Sequence, residues 1–184
     1  MKIIQYEPKF GDEAVKNTIH KRIEMRQMRK AERQRDAKWA MDVLDKAPYM
    51  TVSMTRPDGT PYGLPLNVVR KDATTLYFHC ASEGEKIDCL RHSPIVSVSA
   101  VSRCTPKYEE ERNNFTEYYN SAVAIGRAEF VTDAEEKVEA LRLLCERFLP
   151  KQMAHFDEAV ARSLDITTVV RITLSEPPVG KSKP

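Results

Sequence analysis

The chain has no apolar run of membrane-spanning length, and its opening residues, Met1-Lys2-Ile3-Ile4-Gln5-Tyr6, lack the apolar centre of a secretion signal. The expectation is therefore a cytoplasmic protein with no membrane partner. Cysteine is scarce: Cys80, Cys89, Cys104 and Cys145 form no disulfide framework and no zinc-type spacing. In a reducing compartment they are free thiols. His79, Cys80, Cys89 and His92 do not read as a metal set, because neighbours on a strand point to opposite faces. No metal is expected. The sequence also lacks G-x-G-x-x-G and the P-loop pattern, which argues against a Rossmann nicotinamide site and an NTPase. Nothing marks an activated serine. There is no large excess of one charge; a net charge of +2 is too small to imply a nucleic-acid partner.

What is present fits one domain, since 184 residues can bury a substantial core. The expected organisation is an N-terminal arm over 1–24, a domain over 25–174 and a loose, proline- and lysine-rich tail over 175–184. Positive charge concentrates in residues 21–38. Read as a helix, that segment aligns Arg22, Arg26, Arg29 and Arg33 on one face. Such a face is either solvated or meets phosphate. From Trp39 the spacing of Val43, Leu44 and Ala47 predicts an amphipathic helix that ends at Pro48.

Strands are predicted over 50–55, 62–69, 74–80, 95–101, 121–131 and 166–174. Arg56-Pro57-Asp58-Gly59-Thr60-Pro61 is the clearest turn and makes the first two strands a hairpin. Pro65 marks an edge, a bulge or backbone facing a ligand. Residues 104–116 carry no clean period and read as a long loop. A helix is predicted after Thr132, whose S/T-x-x-E pattern precedes the apolar stripe Val138, Leu141, Leu144, Cys145 and Phe148. A weaker helix follows near 153–161. Close-spaced strands argue against βαβ units. The fold class is mainly β with peripheral α, a six-stranded antiparallel barrel.

The stretch richest in chemistry is Tyr77-Phe78-His79-Cys80-Ala81-Ser82-Glu83-Gly84-Glu85-Lys86, a strand that turns into a helix. Ser82 and Glu85 have capping-box spacing. A helix start offers unpaired N–H groups and partial positive charge, and a glycine and a lysine there suit a phosphate. The plain alternative is a capped helix with a surface lysine. Similarly, His79 is either a satisfied core histidine or a group at a ligand, and Asn67 either steadies irregular backbone or meets a ring edge. Arg127 is a surface residue or part of a subunit-interface site.

Two motifs together, Gly59-x-Pro61-Tyr62-Gly63-Leu64-Pro65-Leu66-Asn67 and Tyr77-Phe78-His79-x-Ala81-x-Glu83-Gly84-x-Lys86-Ile87-Asp88, resemble the FMN-binding split-barrel proteins related to pyridoxamine 5'-phosphate oxidase. Within them the nitroimidazole-resistance (Nim) group is most similar, and Met25-Arg26-x-Met28-Arg29-Lys30 resembles that group's basic motif. The resemblance implies a homodimer with FMN at the subunit interface. It implies that Ala81, Ser82, Gly84 and Lys86 hold the phosphate, that Leu64, Leu66 and Asn67 lie along the ring, and that His79 sits near cofactor or substrate and assists protonation. The oxidase has Arg and Lys where Tyr62 and Asn67 stand, and Ser-Arg-Lys in place of Gly84-Glu85-Lys86. The Nim pattern has His where Glu85 stands. Vitamin B6 oxidation is accordingly not expected, and Arg26 and Arg29 would supply the missing charge. The implied activity is an FMN-dependent reductase acting on a small acceptor, with a nitroaromatic such as a 5-nitroimidazole as one candidate and NAD(P)H as a candidate donor. The alternatives are a non-catalytic flavin-binding protein and a split barrel that uses haem or a deazaflavin.

Overall fold

The computed structural model describes residues 28–184. The chain divides into two compact units, Met1–Ala31 and Glu32–Pro184, and the second carries every strand and α-helix below. Of the predicted basic helix over 21–38, residues 21–27, Arg26 among them, lie outside the described part. The rest is not α-helical until residue 37. A 3₁₀ turn, Ala31–Arg33, leads into a two-residue strand β1, Gln34–Arg35. Local charge pattern loses here to backbone pairing with a distant strand.

Helix α1, Ala37–Lys46, starts where Asp36 accepts a hydrogen bond from the Trp39 N–H at 2.8 Å. It buries Ala40, Val43 and Leu44 and stops at Ala47, before Pro48. Strands β2, Met50–Thr55, and β3, Pro61–Leu66, form the expected hairpin. Short β4, Val69–Arg70, pairs with β5, Thr75–Cys80. Helix α2, Glu85–His92, leads to β6, Ile95–Glu109, and its partner β7, Asn114–Phe130. Helices α3, Ala134–Phe148, and α4, Phe156–Ser163, precede β8, Thr168–Leu174, and β9, Val179–Lys183.

All nine strands belong to one antiparallel sheet with the pairing path β3-β2-β6-β7-β8-β5-β4. The two ends of that path, β3 and β4, are separated in the chain only by Asn67 and Val68. The two edges of the path are thus joined through the chain by a two-residue link. Pro65 sits on β3, which hydrogen-bonds only to β2, so the missing N–H costs no ladder bond on the open side.

Two cores result. Val52, Leu76, Phe78, Val98, Ala124, Val170 and Ile172 fill the inside of the sheet, closed by α1. Tyr77, Val169, Ala140, Leu141, Leu144 and Phe156 form a second core under α3 and α4 on the outer face of β5 and β8. Gly126 joins β7 to β8 at close range: a Cβ there would lie 2.7 Å from the Thr173 carbonyl oxygen.

Three expectations are corrected. The loop expected over 104–116 is the far end of the β6–β7 hairpin, paired as far as Glu109 with Asn114. Most of its side chains are exposed on both faces, so the apolar alternation that announces a strand is missing while the ladder continues. The loose tail is also wrong at its end, because β9 pairs with both β7 and β1. Its anchor is packing: a Cβ on Gly180 would lie 2.5 Å from the Trp39 ring. At α3 the cap is Asp133, which accepts from the Glu136 N–H, one residue later than the Thr132 pattern predicts.

Candidate functional site

Strand β5 lies between β4 and β8 and delivers its residues to two different layers. Leu76 and Phe78 point into the inner core. Tyr77 points the other way, and its hydroxyl donates to Glu136 on α3 at 2.8 Å. His79 shares the Tyr77 face by the strand's two-residue period. It lines a cavity of about 270 Å³ under α3 and α4, walled by Leu141, Leu144, Cys145, Phe156 and Val160. Much of the residue remains open to solvent, yet its ring lies against this apolar wall. Burial, and then the nearby Lys86 charge, hold the imidazole pKa below its usual value. Burial raises the Cys80 thiol, and Lys86 partly opposes that.

The turn after β5 ends at Gly84, whose φ of +111° and ψ of 171° favour glycine. The predicted capping box is absent. Gly84, not Ser82, is the cap residue, and no side chain caps the first turn. The Gly84 carbonyl accepts from the Ile87 and Asp88 N–H groups at 2.9 and 3.2 Å. The N–H groups of the first turn thus have no side-chain acceptor. Glu85 is turned aside by an ion pair with Arg56 Nε. Arg56 also donates to the Pro61 carbonyl at 2.8 Å and lies 4.7 Å above the Tyr62 ring. It ties the end of β2, the start of β3 and the start of α2 together. Sequence spacing gave no sign of it, since Arg56 and Glu85 are 29 residues apart.

Lys86 Nζ lies 5.7 Å from the centre of the Phe78 ring and acts electrostatically on His79 and Cys80. Ala81, Ser82 and Gly84 are exposed beside it. His79, Ala81, Ser82, Gly84 and Lys86 are therefore one continuous patch. Leu64 and Leu66 are half-buried on β3, and Asn67 is exposed at the break between β3 and β4. Arg127 is exposed on β7, opposite Ile95 in the ladder, with Glu129 at 3.9 Å. Arg29 is exposed and belongs to the first unit; Arg26 is outside the described residues.

A patch on one face of the sheet, bordered by Arg127 on β7 and Lys181 on β9, carries no charge. Gly63 and Pro65 on β3 oppose Ser53 and Thr51, which oppose Ser97 and Ser99, which oppose Ile125 and Val123. Val101 and Val123 on it are 49% and 41% exposed. A cavity of about 1040 Å³ lies elsewhere, against α1. Among the described residues, no group of His, Cys, Asp and Glu side chains is arranged to hold a metal, and no helix is long and apolar enough to cross a membrane.

These features meet a consistent set of likenesses. The chain is similar to a putative 5-nitroimidazole antibiotic resistance protein from Bacteroides thetaiotaomicron, with 26% identity over 80% of this chain and 84% of that one, at a TM-score of 0.68. A flavocytochrome from Azotobacter vinelandii has a TM-score of 0.70 at 20% identity, covering 85% of this chain and 72% of its own. The FAD and heme binding protein from Mycobacterium smegmatis follows at 0.67 and 21%, over 82% and 73%. At those identities the last two show the fold alone. No curated protein matches the chain. The family model described as pyridoxamine 5'-phosphate oxidase matches residues 36–179, which include both motifs, the glycine-started helix and Lys86, and the chain belongs to that family.

Proposed function

We propose that the protein is a homodimeric FMN-binding split barrel that passes electrons or hydride from the reduced cofactor to a small acceptor. Nitroaromatics, 5-nitroimidazoles among them, are the acceptor class to test, with NAD(P)H as donor. The observation that carries the reading is the start of α2. It is a helix start with a positive-φ glycine and no side-chain cap, and Lys86 stands beside it. Those residue types fit a phosphate: backbone N–H groups, a hydroxyl at Ser82 and an ammonium at Lys86 lie within five residues of one another at the helix start. Arg56 neutralises Glu85, which would otherwise repel an anion.

FMN, when bound, supplies the redox chemistry. The chain's own part is to hold and shield. Leu64, Leu66 and Asn67 would lie along the ring, and Arg26, Arg29 and Arg127 would add positive charge to the interface. His79, neutral at pH 7, can donate or accept a hydrogen bond and so assist protonation of a reduced acceptor. The uncharged face across β3, β2, β6 and β7 is the surface for the second protomer. With β3 and β4 taken as one strand broken at Asn67-Val68, and β1 and β9 set aside as additions, the sheet path is compatible with a six-stranded split barrel.

The test is a visible spectrum of the purified protein, then mass identification of any released chromophore. FMN at about one per subunit, reduced by NAD(P)H and reoxidised by 2-methyl-5-nitroimidazole, is the expected result. A stable flavin that no acceptor reoxidises would leave a flavin-binding protein without this activity. A haem spectrum, or a colourless protein that takes up no added FMN, would overturn the reading.

A further inference from the structure

The cavity of about 1040 Å³ lies outside the site above and has no part in it. Its apolar wall consists of Trp39 and Met41 from α1 with Leu174, Pro177 and Pro178 from the β8–β9 connection. That connection is the stretch whose composition reads as loose. It is held at its start, where the Leu174 N–H donates to Thr74 and the Ser175 N–H to Ile125, at 2.7 and 2.9 Å. At its other end β9 pairs with β7 and β1. The Trp39 ring is packed onto Gly180, where no side chain would fit. The cavity is thus preformed, not a gap under a mobile tail.

Its charge is one-sided. Asp36, Asp42, Asp45 and Glu176 line it against Lys38 and Arg70. Asp45 is committed to Arg70, and Asp42 pairs with Lys46. Asp36 accepts only from the Trp39 backbone, and among the described residues Glu176 has no cation at ion-pair distance. With those ion pairs set aside, Asp36 and Glu176 face the cavity against Lys38 alone, and an indole beside an excess of carboxylate is the chemistry that recognises an organic cation. The volume is at the upper end for small-molecule sites.

We infer that this cavity binds an organic ammonium compound with an apolar body, the cation held between Trp39, Asp36 and Glu176. Trp39 is the only tryptophan, so its fluorescence reports the site directly. The probe is benzyltrimethylammonium, compared with neutral benzyl alcohol and anionic benzenesulfonate, titrated into the full chain as purified. A saturable change in Trp39 emission with the cation alone is expected. The pair Asp36→Asn and Glu176→Gln should weaken it roughly tenfold. Asparagine caps a helix as well as aspartate, so α1 is preserved, and an unchanged melting curve verifies it. Equal binding of the neutral probe, no saturable response, or the same affinity in the double variant would each overturn the inference. The readout is an affinity and not a turnover, and it is taken at one fixed flavin content, so it stands or falls apart from the redox reading.

Discussion

At the scale of single residues, Lys86 and His79 are coupled, and that coupling can be measured. Lys86→Met removes the one ammonium beside the α2 start. FMN affinity is expected to fall by about ten- to a hundredfold, as for the loss of a charge-assisted hydrogen bond, with Lys86→Arg losing less. Equal affinity in the methionine variant would move the phosphate elsewhere. His79 titrates below its ordinary value because of burial and then Lys86. Its protonated form is therefore weaker in the folded protein than in the unfolded chain. Above the unfolded value both states are neutral and the histidine contributes no penalty. As pH falls below about 6.5 the unfolded chain takes up the proton first, and stability drops until the native value is passed. His79→Gln should flatten that part of the stability curve, and Lys86→Met should bring the NMR titration midpoint of His79 back toward normal. A midpoint at or above the ordinary value in the unmodified protein would contradict this. The motif around His79 was legible because it is contiguous. Arg56 was not, because its partner Glu85 is brought to it only by folding.

Elements were legible wherever one face is buried and the other wet. Strand β2, with Met50, Val52 and Met54 inward, and the stripe of α3 announce themselves in this way. The far half of the β6–β7 hairpin does not, because most of its side chains are exposed on both faces; Phe115 there is 84% exposed. Strand β9 was hidden for a different reason. Its residues are mostly polar or small, and what holds it is the ladder to β7 and β1 together with the fit of Gly180 to the Trp39 ring. Arg147 shows how elements are joined by contacts that no periodicity encodes. From α3 its guanidinium donates to the carbonyls of Leu44, Ala47 and Val68 at 2.8 to 2.9 Å. It fastens the end of α1 to the break between β3 and β4, next to Asn67. Burial lowers its pKa, and no carboxylate is within ion-pair distance among the described residues. Arg147→Met keeps the stem's packing but leaves three carbonyls short of a donor. A loss of about 1–3 kcal/mol in urea unfolding is expected. An unchanged midpoint would show that water replaces the guanidinium at no cost.

At the scale of the whole molecule, one surface needs an explanation that a single chain does not supply. The face running from Gly63 and Pro65 across Thr51, Ser53, Ser97 and Ser99 to Val123 and Ile125 carries no charge, on a chain that is 30% charged. It is the surface proposed above for the second protomer, with Val101 and Val123 as its exposed apolar part. Two copies joined here would bring Arg127 and the exposed edge strand β3 to one seam, which is where the proposed cofactor site needs residues from both. Val123→Glu tests the arrangement without touching the core, since the side chain already faces solvent in the single chain. The variant should melt as the unmodified protein's monomer would, sediment at half its mass and lose FMN. A variant that stays dimeric would place the subunit contact on another surface. One that becomes monomeric yet keeps its FMN affinity would separate assembly from cofactor binding and confine the phosphate and ring contacts to a single chain, with Lys86 and the start of α2 carrying the affinity alone.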